Sequence, residues 1–176
     1  MSPLFTQDVF CSRQQLEATK LHRLNVMFAE VLPANSFYRE KFSECTTPVQ
    51  SFKQFADFPF TTKSELVGRE DSVSARNRTW SDENYVRFHQ TSGTSGHPLQ
   101  VWDTENDWNW WMTCWKSIYS RAELQPGEPV FVAASFGPYI GFWSAFEGAV
   151  ASGGRAIPSG GVSSIARLEL LRKTEA

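Results

Sequence analysis

Along the first third of the chain, apolar residues recur at helical spacing. Leu16, Leu24, Met27, Phe28, Val31 and Leu32 follow each other at multiples of three and four residues, which predicts an amphipathic helix facing a core. Ser12 followed by Gln15 supplies a capping box at its start, and Pro33 ends it. Asn35 or Ser36 then caps a short helix carrying Phe37, Tyr38 and Phe42. Residues 46–60 form a Pro- and Phe-rich connection. Thr62-Lys-Ser-Glu65 is a second capping box opening another short helix, and a polar surface loop is expected from Arg69 to Glu83.

The period then changes. Tyr85-Val-Arg-Phe-His89 alternates apolar and polar as a strand does, and Leu99-Gln-Val-Trp102 does so again beyond a polar loop. Thr104 caps a long helix to about Ala122, with Trp108, Trp111, Met112, Trp115, Ile118 and Tyr119 on one face. A tryptophan stripe at that spacing reads first as core; Trp110 lies off it. Pro126-Gly127 is a turn, Val130 to Ala134 a buried strand, and Tyr139 to Ala151 a helix turning Phe142, Ala145, Phe146 and Ala149 inward. Gly153-Gly154 stops it, Arg155 to Ile157 is a short strand, and Ser163 or Ser164 caps a last helix through Leu168 and Leu171. Strand, helix, strand, helix at this spacing implies parallel pairing by right-handed crossovers, hence an α/β region. The expected division is a helical region with a polar loop over 1–84 and an α/β region over 85–176.

Composition narrows the classes. With 41% apolar and 20% charged residues in 176, the chain can enclose a core and is neither disordered nor low-complexity as a whole. Seventeen basic against 19 acidic residues give a formal charge of −2, which disfavours nucleic acid as a partner. Cys11, Cys45 and Cys114 are too far apart for a disulfide framework or zinc site. Residues 1–8 lack the basic start and apolar run of a signal peptide, so a cytoplasmic protein is expected. Residues 130–154 carry one charge, Glu147, but Ser135-Phe-Gly-Pro138 interrupts them. A buried strand and helix are expected there, not a membrane span. Glu147 itself reads as solvated or hydrogen-bonded at a helix edge rather than as a functional carboxylate.

Thr91-Ser-Gly-Thr-Ser-Gly96 packs four hydroxyls and two glycines into six residues. Glycine lets successive N–H groups turn inward around an anion, and hydroxyls add compact donors, so phosphate oxygens suit the loop; a plain polar hairpin turn suits the same composition. It is neither a Walker loop nor a dinucleotide fingerprint. Ala133-Ala-Ser-Phe-Gly137 mimics the nucleophile elbow of an α/β-hydrolase-like serine enzyme. That minor alternative needs an acid and then a histidine after Ser135. His22, His89 and His97 all precede it, and no aspartate follows.

Thr91-Ser-Gly-Thr-Ser-Gly-His-Pro98 resembles the phosphate-loop signature of the adenylate-forming (AMP-binding, acyl-CoA synthetase) superfamily, commonly T-S-G-T-T-G-K-P. Ser36-Phe-Tyr-Arg-Glu-Lys-Phe42, Phe58-Pro-Phe-Thr-Thr-Lys63, the strand before the loop, Pro126-Gly127 and Ser159-Gly-Gly161 have counterparts, in this order, in its phenylacetate–CoA ligase branch. The resemblance implies an N-terminal portion of such an enzyme: a β-hairpin phosphate loop, then an incomplete parallel βαβα layer with an exposed edge and an uncovered apolar face. It implies a ligase that adenylates a small, possibly aromatic carboxylic acid with ATP and Mg²⁺ and passes the acyl group to coenzyme A. Thr91, Ser92, Gly93, Thr94, Ser95, Gly96 and His97 would hold phosphate, with Mg²⁺ meeting Thr94. Phe136, Gly137, Tyr139, Gly141, Ser159, Gly160 and Gly161 would lie near the acid, the alternative being a tight strand–helix turn with core aromatics. His97 stands where the branch usually has lysine; an ordinary imidazole carries less charge at pH 7 than an amine. The superfamily's later motifs have no counterpart here: the Tyr–Thr–Glu segment, the ribose-binding aspartate and the C-terminal domain with its lysine. An isolated chain that is inactive is therefore expected, with a missing C-terminal part or a homo-oligomer as partner. The alternative is a non-catalytic nucleotide-binding remnant that assembles with a separately encoded remainder.

Overall fold

A computed structural model describes residues 12–67, 76–93 and 97–176. They fall into two compact units, residues 1–82 and 83–176.

The first unit is helical. Helix α1 (Arg13–Ala34) begins where Ser12 Oγ accepts the Gln15 N–H at 3.2 Å. It runs one residue past Pro33, which withholds one N–H from the last turn, and Asn35 closes that turn by donating its N–H to Val31 O. Asn35, buried, caps α2 (Ser36–Lys41) by accepting the Tyr38 N–H at 3.1 Å. Its amide nitrogen donates to Arg76 O, Arg78 O and Thr79 Oγ1, so one side chain fixes a helix start and a distant turn. Within the connection expected over 46–60, Ser51 caps a single-turn helix, α3 (Phe52–Phe55). The core is aromatic: Phe28 stacks on Phe58 at 5.6 Å and meets Phe42 and Phe55 edge-on. Met27, assigned inward by spacing, is exposed instead, because this narrow core accepts only the stripe through Leu21, Leu24, Phe28 and Leu32. The Thr62 capping box opens α4 (Lys63–Leu66) as expected.

The second unit is mixed α/β. Strands β1 (Tyr85–Gln90) and β2 (Gln100–Thr104) form an antiparallel hairpin with a register shift between Tyr85 and Arg87. Helix α5 (Glu105–Arg121) follows at once, since Thr104 ends the strand and caps the helix with Asp107 in a reciprocal box. Strand β3 (Pro129–Val132), helix α6 (Ile140–Ala151) and strand β4 (Arg155–Pro158) make the expected parallel β-α-β unit, and Ser163 caps α7 (Ser164–Thr174). Among the described residues each sheet has two strands. Ile165 and Leu168 on α7 are exposed, which leaves an apolar face uncovered.

Helices α5 and α6 pack through a seam that spacing alone misplaces. Trp111, Ile118 and Phe142, assigned inward, are exposed; Trp108, Ser144, Gly148 and Ala149 are buried. The cause is close approach at Gly148, where a methyl group would sit 2.4 Å from Trp115 Cβ. That approach lets Trp115 Nε1 donate to Ser144 Oγ at 2.9 Å and Tyr119 OH to Ala145 O at 2.9 Å. Burial raises the Tyr119 phenol pKa.

Two outcomes are expected. Gly148→Ala forces Trp115 off its position and costs about 1–3 kcal/mol in urea unfolding, as overpacking does; an unchanged midpoint contradicts the seam. In the first unit, hydrogen bonds from Lys41 and then from Thr62 hold the Glu65 carboxyl down at about 2. The folded value lies below the unfolded one of about 4.3, so the stabilisation is complete above that value and lost as pH falls towards 2. The stability gap between wild type and Glu65→Gln should be constant above about pH 5 and close near pH 2.

Candidate functional site

Thr91 closes the neck of the hydroxyl-rich loop. Its N–H donates to Leu99 O at 3.0 Å, and the Leu99 N–H donates to Thr91 Oγ1 at 3.0 Å. The hydroxyl thus stands in for a carbonyl in the last rung of the hairpin and keeps its own proton to donate elsewhere. Ser92 is exposed, and Gly93 takes φ +70°, the left-handed turn for which glycine is suited. Thr94, Ser95 and Gly96 lie outside the described residues. His97 is exposed where the loop returns.

One hydrogen bond brings this neck to the α/β layer. Gln90 N–H, one residue before Thr91, donates to Pro138 O at 2.9 Å in the connection from β3 to α6. Because β3 and β4 are parallel, the connections leaving them, 133–139 and 159–163, emerge at the same end. The carboxyl end of a parallel sheet is where open α/β folds hold ligands. A cleft of about 390 Å³ lies there, lined by Phe136, Trp143, Phe146, Pro158, Gly160 and Gly161. Phe136 meets Trp143 edge-on at 4.9 Å and Phe146 at 5.5 Å. Gly160 is required by contact: a Cβ would lie 2.8 Å from Phe136 Cδ2 and 3.0 Å from its backbone nitrogen.

The seven residues assigned near an acid sort into different positions. Phe136, Gly160 and Gly161 line the cleft. Gly137 stands behind it, its carbonyl accepting Trp143 Nε1–H at 2.9 Å. Ser159 is buried, and its hydroxyl donates to Val132 O at 2.5 Å, so it pins the two strand ends together. Its carbonyl accepts from Arg167 Nε at 3.2 Å, which ties α7 to the same point. Tyr139 faces solvent against Phe142, and Gly141 has open space where a side chain would be; neither is among the residues lining the cleft. Trp143 and Pro158 line it without having been singled out. Ser135 is exposed, and the buried histidine, His89, is engaged by Asp103.

That histidine belongs to a cluster that spacing did not reveal. His89 Nδ1 lies 3.2 Å from Asp103 Oδ2, both side chains buried, and the imidazole stacks on the Trp108 ring at 5.5 Å. Arg87 lies over the same ring at 5.0 Å. Trp108 Nε1 donates to Glu147 Oε2 at 2.6 Å, and Arg87 reaches both Glu147 oxygens at 3.4 Å. Glu147 is thus hydrogen-bonded, as the sequence reading favoured. Among the described residues no group of histidine, cysteine or carboxylate side chains could hold a metal ion, and no helix is long and apolar enough to cross a membrane.

Comparison with known proteins gives the arrangement a context. No family model matches the chain. The phenylacetate-coenzyme A ligase of Pseudomonas putida is 29% identical over 175 residues, covering 98% of this chain and 38% of that protein. The enzyme of the same name from Escherichia coli (strain K12) is 28% identical over 175 residues with the same coverage. Among solved structures, an open conformation of 2-hydroxyisobutyryl-CoA ligase in complex with 2-HIB-AMP and CoA matches with a TM-score of 0.78 at 20% identity, covering 99% of this chain and 50% of that one. Its thioesterification state gives 0.77 at 24% identity, covering 94% and 41%. The chain therefore shares the fold of the matched part of the 2-hydroxyisobutyryl-CoA ligase structures, and it spans about 38% of the length of these two curated relatives.

Two substitutions test the geometry. Thr91→Val keeps shape but removes the acceptor for Leu99 N–H, so that amide should exchange with solvent at least about tenfold faster, the equivalent of one lost hydrogen bond. Gly160→Ala should cost about 1–3 kcal/mol in unfolding by driving Phe136 out of place; full retention of stability contradicts the contact.

Proposed function

We propose, for a chain that resembles phenylacetate-coenzyme A ligases along nearly its whole length, the role of the N-terminal part of an ATP-dependent acid–thiol ligase. In the reaction, a carboxylate oxygen attacks the α-phosphorus of ATP and the bond to pyrophosphate breaks. The thiol of coenzyme A then attacks the acyl carbon, loses its proton and displaces AMP. The observation that carries this reading is the convergence at the Gln90–Pro138 hydrogen bond: a glycine- and hydroxyl-rich loop and an aromatic cleft meet at the carboxyl end of parallel strands.

The residues suit their tasks. Pyrophosphate gains charge as it leaves, and N–H and O–H donors of the kind that Thr91–Gly96 offers would stabilise that charge. Thr91 is held by its rung to Leu99, and Gly93 turns the backbone so that successive N–H groups can face inward. Mg²⁺ would arrive with the triphosphate and meet the protein through Thr94, supplying charge neutralisation at the phosphate oxygens. The cleft between Phe136, Trp143 and Phe146 suits the apolar body of a carboxylic acid, an aromatic one included. Ser159 supports that cleft from behind, and Gly160 lines it while leaving room for Phe136.

The 176-residue chain alone is expected to bind pyrophosphate by calorimetry yet give no acid-dependent ATP–pyrophosphate exchange, and to give it once the remainder of a related ligase is supplied. Exchange by the chain alone overturns the partial-enzyme reading. A second reading, a binding remnant without catalysis, draws on exposed Ile165 and Leu168 as an assembly face; it requires that exchange stay absent after assembly. His97→Lys should tighten pyrophosphate about tenfold, the worth of one charge-assisted contact.

A further inference from the structure

Helix α5 uses only part of its circumference within its own unit. Trp108, Trp115 and Tyr119 turn towards α6, through the Glu147 bond, the close approach at Gly148 and the Ala145 carbonyl. One flank is left over. Asp107, Trp111, Cys114, Ile118 and Arg121 follow each other at steps of four, three, four and three residues, which sets them in one stripe along the helix. Trp111 and Ile118 are exposed at 36% and 52%, Cys114 is half-buried, and Asp107 and Arg121 are exposed.

The stripe is its own complement when reversed. It runs acid, aromatic, thiol, aliphatic, base from the first turn to the last, and Cys114 stands midway between Asp107 and Arg121. An antiparallel second copy with Cys114 on the two-fold axis brings each Asp107 to Arg121 of the partner subunit, and each Trp111 to the partner subunit's Ile118. A parallel copy would set acid on acid and base on base. The antiparallel arrangement also opposes the two helix dipoles favourably. Both bonds that Asp107 accepts from Thr104 use Oδ2, which leaves Oδ1 for a guanidinium. Arg121 forms no ion pair among the described residues. The exposed strip on α7 offers no such match, since Arg167, Arg172 and Lys173 outnumber Glu169 there.

We propose that α5 is a dimer interface: a second copy of this chain seats antiparallel on the Trp111–Cys114–Ile118 stripe, in an isologous contact closed by two Asp107–Arg121 ion pairs. Two helices of 17 residues meet over about 25 Å, less than a standard interface, so the association is weak and depends on concentration.

The test follows the full chain by sedimentation velocity from about 1 to 300 μM, where wild type should pass from monomer to dimer. Ile118→Glu and Arg121→Glu should each weaken association at least about tenfold, while Arg121→Lys stays near wild type. Urea midpoints establish that each variant folds. In a Cys11→Ser, Cys45→Ser background, a short bismaleimide should link two copies through Cys114, and Ile118→Glu should abolish the link. A chain that stays monomeric overturns the proposal, whether or not an added remainder of a related ligase shields Cys114 from maleimide. A dimer that survives Ile118→Glu but is lost in Leu168→Glu lies on α7 and overturns it too, as does a dimer without the Cys114 link.

Discussion

The hydrogen bond from the Trp108 indole to the Glu147 carboxylate is the constraint on which the second unit turns. It places a carboxylate on an otherwise apolar helix at the N–H edge of a tryptophan, a position costly for a charge unless it is engaged. Arg87 supplies the engagement, and His89 with Asp103 completes the polar side of the hairpin. The His89–Asp103 contact is buried and so strengthened by its low-polarity surroundings, while Arg87 and Glu147 meet where solvent still reaches them. Everything at the mouth of the fold inherits these contacts: the Thr91 rung, the Gln90–Pro138 bond and the position of α6 beneath the cleft.

Most of the element order was legible because punctuation and period agreed. Ser12, Asn35, Thr62, Thr104 and Ser163 each open the helix that their position announces. The parallel pairing of β3 with β4 follows from the strand–helix–strand spacing around Gly153-Gly154. Side-chain direction was less legible. Alternation in Tyr85–Gln90 suggests a half-buried strand but not which half is buried. Here the polar residue goes inward, His89 at 4% exposure, while Phe88 stays at 42%. That choice depends on Asp103, Trp108 and Glu147, residues 14 to 58 positions away, and no local period encodes it.

The candidate site divides the same way. A run of hydroxyls and glycines suits phosphate and a polar hairpin turn alike by composition, and it is the resemblance that favours the first. Of the cleft, only Phe136, Gly160 and Gly161 were legible, and those through the resemblance. Trp143 carried no signal of its own, and its role as a wall depends on the Gly137 carbonyl that orients it. Ser159 misleads in the opposite sense, since a serine between a strand and two glycines looks like a ligand contact, yet its hydroxyl is consumed within the backbone. Small residues near a site serve either contact or closeness, and only distances separate the two.

The inverted hairpin has a consequence for how the chain behaves in company. With His89 and Asp103 turned inward, Val86 and Phe88 are left on the solvent side, and Phe88 lies edge-on to Trp102. Ile165 and Leu168 add a second greasy strip on the last helix. Patches of this kind make the state of a solution depend on how much protein it holds, because encounters between copies compete with the fold's own tidy surface.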